Sequence, residues 1–464
     1  MSLGTFAGSQ SYLPQTPLAP LLPCRQGYPL VGVLPALRRD PLTFFVETVR
    51  EWGDLVELPL GSERILMVNR PSYIRHVLQD NRLNYHKSKF VQLLSPILGD
   101  GMFLAEGEVW KCQRQNSAPA FQGCQLTAMT QSMRDAITDL IYRWRQKELR
   151  AEPVAIVPEM MHLSLDMVLR SLFNVRLTTE FTQVYDSLTA ILRDTEERFW
   201  SYVSLPRWLP TPHNQRFRHA LQTLDDFVYG IIDERRRHPR DEPDLLSLLI
   251  EAADRQPTSR AGDKLLRDQV LSIILAGHDT TANALSWSWI TLSRHPDVAR
   301  RIKQEVDQVL GRRMLTVGDV PALRYTKMAF DEVLRLFPPL WTYSRTAQAD
   351  DRLGPYRIPK GTNVMLCAYA VHRNPALWPN PEGFDPERFD PDREPQHDRF
   401  AYIPFGGGPR RCLGARFAVL EGTIALAMIS QVFRLELLPG QRVAAEPMIT
   451  LRPDESVRLQ LCPG

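Results

Sequence analysis

A mainly helical fold with a smaller β-rich region is what this sequence predicts, and three observations carry that expectation. Amphipathic stretches dominate from about residue 107 to 300, among them LTAMTQSMRDAITDLIYRWRQ (126–146) and LQTLDDFVYGIIDERRR (221–237), whose apolar residues recur at helical spacing. The stretch LLRDQVLSIILAGHDTTANALSWSWITLSR, ending at residue 294, is too long and too apolar for a surface helix and is expected to run buried through the middle. LVELPLG (55–61) and RILMVN (64–69) flank a Gly-Ser turn and predict a hairpin, and after residue 340 the pattern turns to short strands and Pro-rich irregular chain.

The remaining elements connect these. Residues 1–38 are rich in Pro and Leu and read as an extended arm. LPRWLPTPHN (205–214) interrupts the helical run with three prolines. RYTKMAFDEVLRLF ends as a helix before Pro338 and Pro339. With no internal repeat and no dividing linker, residues 39–464 are expected to form a single domain.

Composition narrows the function. Apolar residues make up 44% and charged residues 23%, the balance of a soluble globular enzyme. The net charge of +3, from 56 basic and 53 acidic residues, creates no field that selects nucleic acid. Cys24, Cys112, Cys124, Cys367, Cys412 and Cys462 lie far apart or unpaired in pattern, unlike a secreted disulfide framework, so a reducing compartment is expected. No signal peptide or membrane-spanning run is apparent.

Four short segments carry chemistry. In FGGGPRRCLG (405–414), Cys412 stands just before a strong helical pattern, where free N–H groups and the helix dipole favour a thiolate. Gly406, Gly407 and Gly408 remove side chains where a flat ligand would need close backbone approach, and Arg410 and Arg411 can meet its anionic groups. A buried cysteine in a glycine turn is the plainer reading; no zinc or CxxCH pattern accompanies it. In AGHDTT (276–281), Gly277 and the threonines weaken the helix, the Thr280 hydroxyl can bond back to the Ala276 carbonyl, and Asp279 is a carboxylate on an apolar helix. Acid and hydroxyl beside a groove suit proton delivery; a packing feature is the alternative. Glu332 and Arg335 share a helix face in EVLR, and Trp110 and Arg114 do so in EVWKCQRQ; both pairs are also common as surface features.

Together, in this order, these segments resemble the cytochrome P-450 family of haem-thiolate monooxygenases over about residues 25–460. The cysteine loop matches at Phe405, Gly408, Arg410, Cys412 and Gly414. AGHDTT matches the oxygen-activation motif, EVLR the Glu-x-x-Arg motif, FDPERF (384–389) the segment supplying Arg388, and WKCQR the Trp-x-x-x-Arg motif. The resemblance implies the triangular P-450 fold and haem b, iron protoporphyrin IX, with Cys412 as its axial thiolate and metal ligand. A thiolate donor favours O–O cleavage. It further implies that Arg410, Trp110, Arg114, Arg345 and His86 hold the propionates, that Ala276 lies against the haem, and that Thr280 and Asp279 manage protons. Glu332, Arg335 and Arg388 would form a structural network, and His278 would be a satisfied polar residue.

The expected activity is insertion of one oxygen atom of O2 into a C–H or C=C bond of a fatty acid, terpenoid or steroid-like molecule by a bacterial-type cytoplasmic monomer. The alternative is a haem-thiolate gas sensor or carrier, which needs no acid-alcohol pair. Substrate would meet Phe103, Phe199, Trp200, Ala276, Leu340 and Trp341, along loop 86–104, region 190–210 and a turn near Ile449. Because the chain stops soon after Cys412, NAD(P)H electrons are expected through a separate ferredoxin or flavodoxin. Arg410, Arg411, Arg416 and Lys111 would form its basic docking face.

Overall fold

The computed structural model describes residues 20–176, 181–200, 205–241, 244–255, 259–393 and 397–464. Its centre is the helix Ser259–Arg294, unbroken through AGHDTT and buried along most of Leu266–Leu292. Helix Ile156–Leu172 packs along it. Gly277 makes their close approach possible, since a Cβ there would lie 2.9 Å from Val168 Cγ2. The expected weakening of this helix is corrected accordingly. Thr280 Oγ1 does donate to the Ala276 carbonyl at 2.7 Å, but the backbone remains helical.

Helices Cys124–Leu149, Phe181–Trp200, Pro212–Arg237, Pro296–Leu310, Arg324–Leu336 and Ala415–Val432 surround this pair. One large apolar cluster joins them, with Trp144, Phe173 and Phe330 among its fully buried side chains. Ala415–Val432 has the length and apolarity of a membrane span, yet 67% of it is buried inside the fold. It is a core helix.

A five-stranded sheet forms the smaller region. Its strands are β1 (Leu55–Leu60), β2 (Glu63–Val68), β3 (Tyr85–Lys87), β4 (Thr342–Ala347) and β5 (Asn363–Cys367), in the order β1-β2-β5-β4-β3. The predicted hairpin is β1–β2, with Leu55 opposite Val68. It joins the C-terminal half through parallel pairing of β2 with β5. The register of β3 on β4 places Lys87 opposite Arg345 and His86 opposite Thr346. That register decides which side chains reach the interior. Of the N-terminal arm, residues 1–19 lie outside the described residues, while Cys24 and Gly32 bridge to Glu57 and Leu60 of β1.

Candidate active site

A cavity of about 1560 Å³, its solvent-open part included, lies between the central helix and the cysteine loop. Ala276, Thr280 and Thr281 line it from the helix, and Phe405, Arg410, Cys412 and Gly414 from the loop. Trp110, Arg114 and Arg345 reach it from other elements, so residues far apart in the chain converge on one space.

The loop is held by backbone geometry. Cys412 N donates to the Phe405 carbonyl at 2.9 Å, and Tyr343 Oη donates to Ile403 O at 2.9 Å. Gly406 and Gly408 have φ of 69° and 63°, in the left-handed region. A Cβ on Gly408 would sit 2.0 Å from the Leu78 carbonyl oxygen, and one on Gly407 2.8 Å from the Phe400 ring. The glycines therefore let the loop close onto its own protein; ligand approach is not what dictates all three. Gly408→Ala is expected to lower thermal stability and haem retention more than Gly406→Ala, whose Cβ finds its nearest neighbour at 3.5 Å. The milder change carries mainly the left-handed penalty of roughly 1–2 kcal/mol. Thermal melts of the two variants check this ranking.

Cys412 is exposed to the cavity, although protein crowds the rest of it. Desolvation pushes its thiol pKa up, against the opposing pull of the Gly414 amide, Arg114 and Arg411. The expectation that the helix terminus by itself favours the thiolate is thus corrected. Burial wins until a cation binds the sulfur.

A cationic cluster stands at the same cavity. Arg410 lies 4.2 Å from the centre of the Trp110 ring and Arg114 5.9 Å from it. Arg410 also donates to Ala105 O at 2.7 Å and pairs with Glu106. Glu106 accepts the Lys87 amide at 2.8 Å. Burial, reinforced by Arg410, lowers the Arg345 pKa to about 10. Burial, with Arg345 and Arg410 adding to it, holds Lys87 well below the usual lysine range. These cations outnumber the carboxylate Glu106 and call for further negative charge. His86 does not line the cavity; alternation along β3 turns Lys87 there instead. Lys87 and Glu106 were not singled out from sequence because neither belongs to a motif.

On the central helix, Asp279 is buried at 3% exposure and does not line the cavity. Its Oδ2 accepts from Thr450 Oγ1 at 2.6 Å, and Asn283 Nδ2 donates to Thr450 Oγ1 at 3.1 Å. His278 packs edge-on to Tyr185, 6.4 Å between ring centres, and burial lowers its pKa to about 4. Neither ring nitrogen makes a hydrogen bond of good geometry among the described residues, although the Met161 backbone is close enough to act on the ring as an acceptor. Glu421, fully buried beside Thr281, is pushed well above the carboxylate range by burial.

Glu332, Arg335 and Arg388 do come together. Arg335 makes two bonds to Glu332, at 2.7 and 2.8 Å, and donates to the carbonyls of His372, Pro381 and Gly383. Arg388 Nε reaches Glu332 at 3.3 Å. His372, absent from the sequence reading, couples this network to the cysteine loop. Its Nε2 accepts from Ile403 N and its Nδ1 donates to Arg335 O, each at 2.9 Å. Burial lowers its pKa to about 3, consistent with that neutral tautomer.

Of the substrate-contact expectations, Phe103, Ala276 and Leu340 line the cavity. Trp341 is displaced into the core beneath β1, donating through Nε1 to Met448 O at 2.8 Å, and Ile449 is also absent from the lining. The side chains of Phe199 and Trp200 lie outside the described residues. Met102, Leu172, Ile273 and Leu334 complete the apolar wall.

The cytochrome P450 family model matches residues 22–460. The chain is a cytochrome P450. It is 33% identical to cyclooctatin synthase of Streptomyces melanosporofaciens, with 92% of each chain covered. It is 32% identical to pentalenene oxygenase of Streptomyces avermitilis, covering 93% of this chain and 95% of that protein. Among solved structures, the haem domain of cytochrome P450DA superposes with a TM-score of 0.85 at 26% identity, covering 96% of this chain and 98% of the other.

This P450 therefore has the P450 fold and is a haem-b monooxygenase whose NAD(P)H electrons arrive through redox partners. Family membership decides against the gas sensor or carrier. The cavity fits the cofactor on its own chemistry: the Cys412 sulfur faces it from the loop as a potential metal donor, and desolvated cations in need of anions line it. Haem b carries both complements, an iron ion and two propionates.

Proposed function

We propose that this P450 hydroxylates or epoxidises a compact, ring-containing apolar molecule of terpenoid type. The distribution of charge in the cavity carries this reading. Besides the thiol of Cys412 and the phenol of Tyr343, the ionisable lining residues are Lys87, Arg114, Arg345, Arg410 and Arg411, whereas Met102, Phe103, Leu172, Ile273, Leu334 and Leu340 supply apolar surface. A fatty acid would need a cation beyond those that Glu106 and the two haem propionates would engage, because a buried unpaired charge is costly. A hydrocarbon skeleton asks for no such partner. The names of cyclooctatin synthase, cyclooctat-9-en-7-ol 5-monooxygenase and pentalenene oxygenase, each 32–33% identical, support the same class.

Cys412 is proposed to ligate the iron, and Arg410, Arg114, Trp110, Arg345 and Lys87 to hold the propionates in place. Bound haem supplies the reductive activation of O2, in which one oxygen atom leaves as water. Thr280, bonded to Ala276 O at 2.7 Å on the cavity wall, holds a hydroxyl where protons are needed, and Asp279 is the acid beside it. Thr280→Ala is expected to uncouple electron use from product, raising peroxide released per NADPH about tenfold. Unaltered coupling would count against Thr280 as the proton-managing hydroxyl.

Arg411, Arg416 and Lys111 line a second, solvent-open pocket behind Cys412 and form the proposed docking face for an acidic ferredoxin or flavodoxin. Arg410 is withdrawn from that face by Glu106 and Trp110. To test the substrate class, cyclic sesquiterpene and diterpene hydrocarbons and long-chain fatty acids are titrated into the ferric enzyme. A high-spin shift with the terpenes alone is expected, and one with fatty acids alone would overturn the proposal.

A further inference from the structure

Asp279 is turned away from the cavity, toward a second cluster of polar groups. Thr450, whose hydroxyl holds Asp279 Oδ2, lies in the bend that leads into the strand carrying Arg452. Arg452 belongs to strand Leu451–Pro453 and stands opposite Glu446 in the hairpin with Ala445–Pro447. Across from them, helix Phe181–Trp200 contributes Glu196. Glu196, Glu446 and Arg452 line a surface pocket together with Arg193, Glu197, Met448, Asp454 and Glu455.

Three buried atoms around this place have no hydrogen-bond partner among the described residues: Asp279 Oδ1, Glu196 Oε2 and Arg452 Nε. Their residues are only 3%, 8% and 5% exposed. Buried polar atoms rarely stay unmet, and a polar gap between them is where ordered water is held. The pocket thus offers a polar connection from solvent toward the inner acid, and it shares no lining residue with the haem-side cavity.

We propose that this pocket is the solvent entrance of a proton route and that Glu196 is the residue that passes protons from it to Asp279. The proposal rests on the reading of Asp279 and Thr280 as the proton-managing pair. Each productive turnover takes up two protons and two electrons with O2, releasing one water and one oxygenated product. In each relay step the Glu196 carboxyl gives its proton to the Asp279 carboxylate across the polar gap and is reprotonated from the pocket.

The surroundings suit a relay. Burial raises the Glu196 pKa to about 7, Arg452 opposes that rise, and Glu446, Asp279 and Glu197 add to it. Arg193, Asp454 and Glu455 face the same pocket, Arg193 being tied to Glu455 at 2.8 Å. A carboxyl poised near neutrality both accepts and donates protons readily. Because its folded pKa lies above the unfolded value, the folded state holds a proton that the unfolded chain lacks between about pH 4.5 and 7, and stability falls across that window as pH rises.

The test uses the full-length holoenzyme with a surrogate ferredoxin and reductase, O2 as the probe, and peroxide released per NADPH consumed as the readout between about pH 6 and 8. Wild type is expected to release more peroxide as pH passes the Glu196 midpoint. Glu196→Gln should release at least about threefold more than wild type at the low end and show a flat profile. Glu196→Asp should restore a pH-dependent profile with a moved midpoint. Independently of turnover, infrared titration of the ferric protein should show a protonated carboxyl band that disappears near neutral pH in wild type and is missing in Glu196→Gln. An unchanged peroxide profile in Glu196→Gln overturns the relay, as does a carboxyl band identical in the two proteins. Asp279→Asn separates the two levels of argument. If it leaves peroxide release unchanged, the reading of Asp279 fails; if it raises peroxide and Glu196→Gln does not, only the relay fails.

Discussion

Cys412→Ser is expected to yield a folded protein whose reduced, carbon monoxide-treated spectrum lacks the strongly red-shifted Soret band of thiolate-ligated haem. The backbone bond from residue 412 to the Phe405 carbonyl does not use the side chain, so the loop itself should persist. What disappears is the donor. Even in the native cavity desolvation opposes the thiolate, and only a bound cation overcomes it. A serine hydroxyl, far weaker as an acid, does not become the equivalent anionic donor. Product formation should fall more than about a hundredfold, the scale already reached when an outer partner of a metal ligand is lost. An unchanged red-shifted band would refute the assignment of Cys412.

Arg335→Met is expected to have the largest effect on folding. The guanidinium is fully buried, and it bonds Glu332 and three carbonyls, those of His372, Pro381 and Gly383. Its removal leaves the Glu332 carboxylate in the interior with Arg388 as its remaining cation, at 3.3 Å. Breaking one side of a buried pair costs about 3–5 kcal/mol, a large share of a total stability of about 5–15 kcal/mol. The damage should reach the haem, because His372 links Arg335 to Ile403 at the entry of the cysteine loop. Low holoprotein yield and a lowered melting temperature are the expected outcomes. The double variant Glu332→Gln/Arg335→Met should recover part of the loss, since it removes the stranded charge as well. A single variant as stable as wild type would show that the network is dispensable.

Much of the fold was legible because it is written in local periodicity. Stretches 126–146 and 221–237 fall inside helices Cys124–Leu149 and Pro212–Arg237, the Gly-Ser turn joins β1 to β2, and the long apolar run is the buried central helix. The cysteine loop, AGHDTT and EVLR were legible as motifs because their chemistry lies within a few consecutive residues. Cys412, Thr280, Arg410, Trp110 and Arg114, drawn from three short segments, line one cavity.

What only the tertiary structure decided depends on register and on contacts between distant segments. A shift of one residue along β3 separates His86 from Lys87, and alternation sends only Lys87 into the cavity. Glu106 becomes the counter-ion of Arg410, and His372 the link from Arg335 to Ile403, through approaches that no periodicity encodes. Trp341, apolar enough for a substrate wall, is drawn instead into the core under β1 by Phe45 and the Met448 carbonyl. Glycines 407 and 408 answer to Phe400 and Leu78, residues remote in the chain. The sequence by itself therefore determined the helical scaffold and the reactive motifs, which follow from short-range spacing. The partners of those motifs, and so the charge of the cavity and the surroundings of Asp279, were decided by long-range packing, because burial and electrostatics depend on what folding brings close.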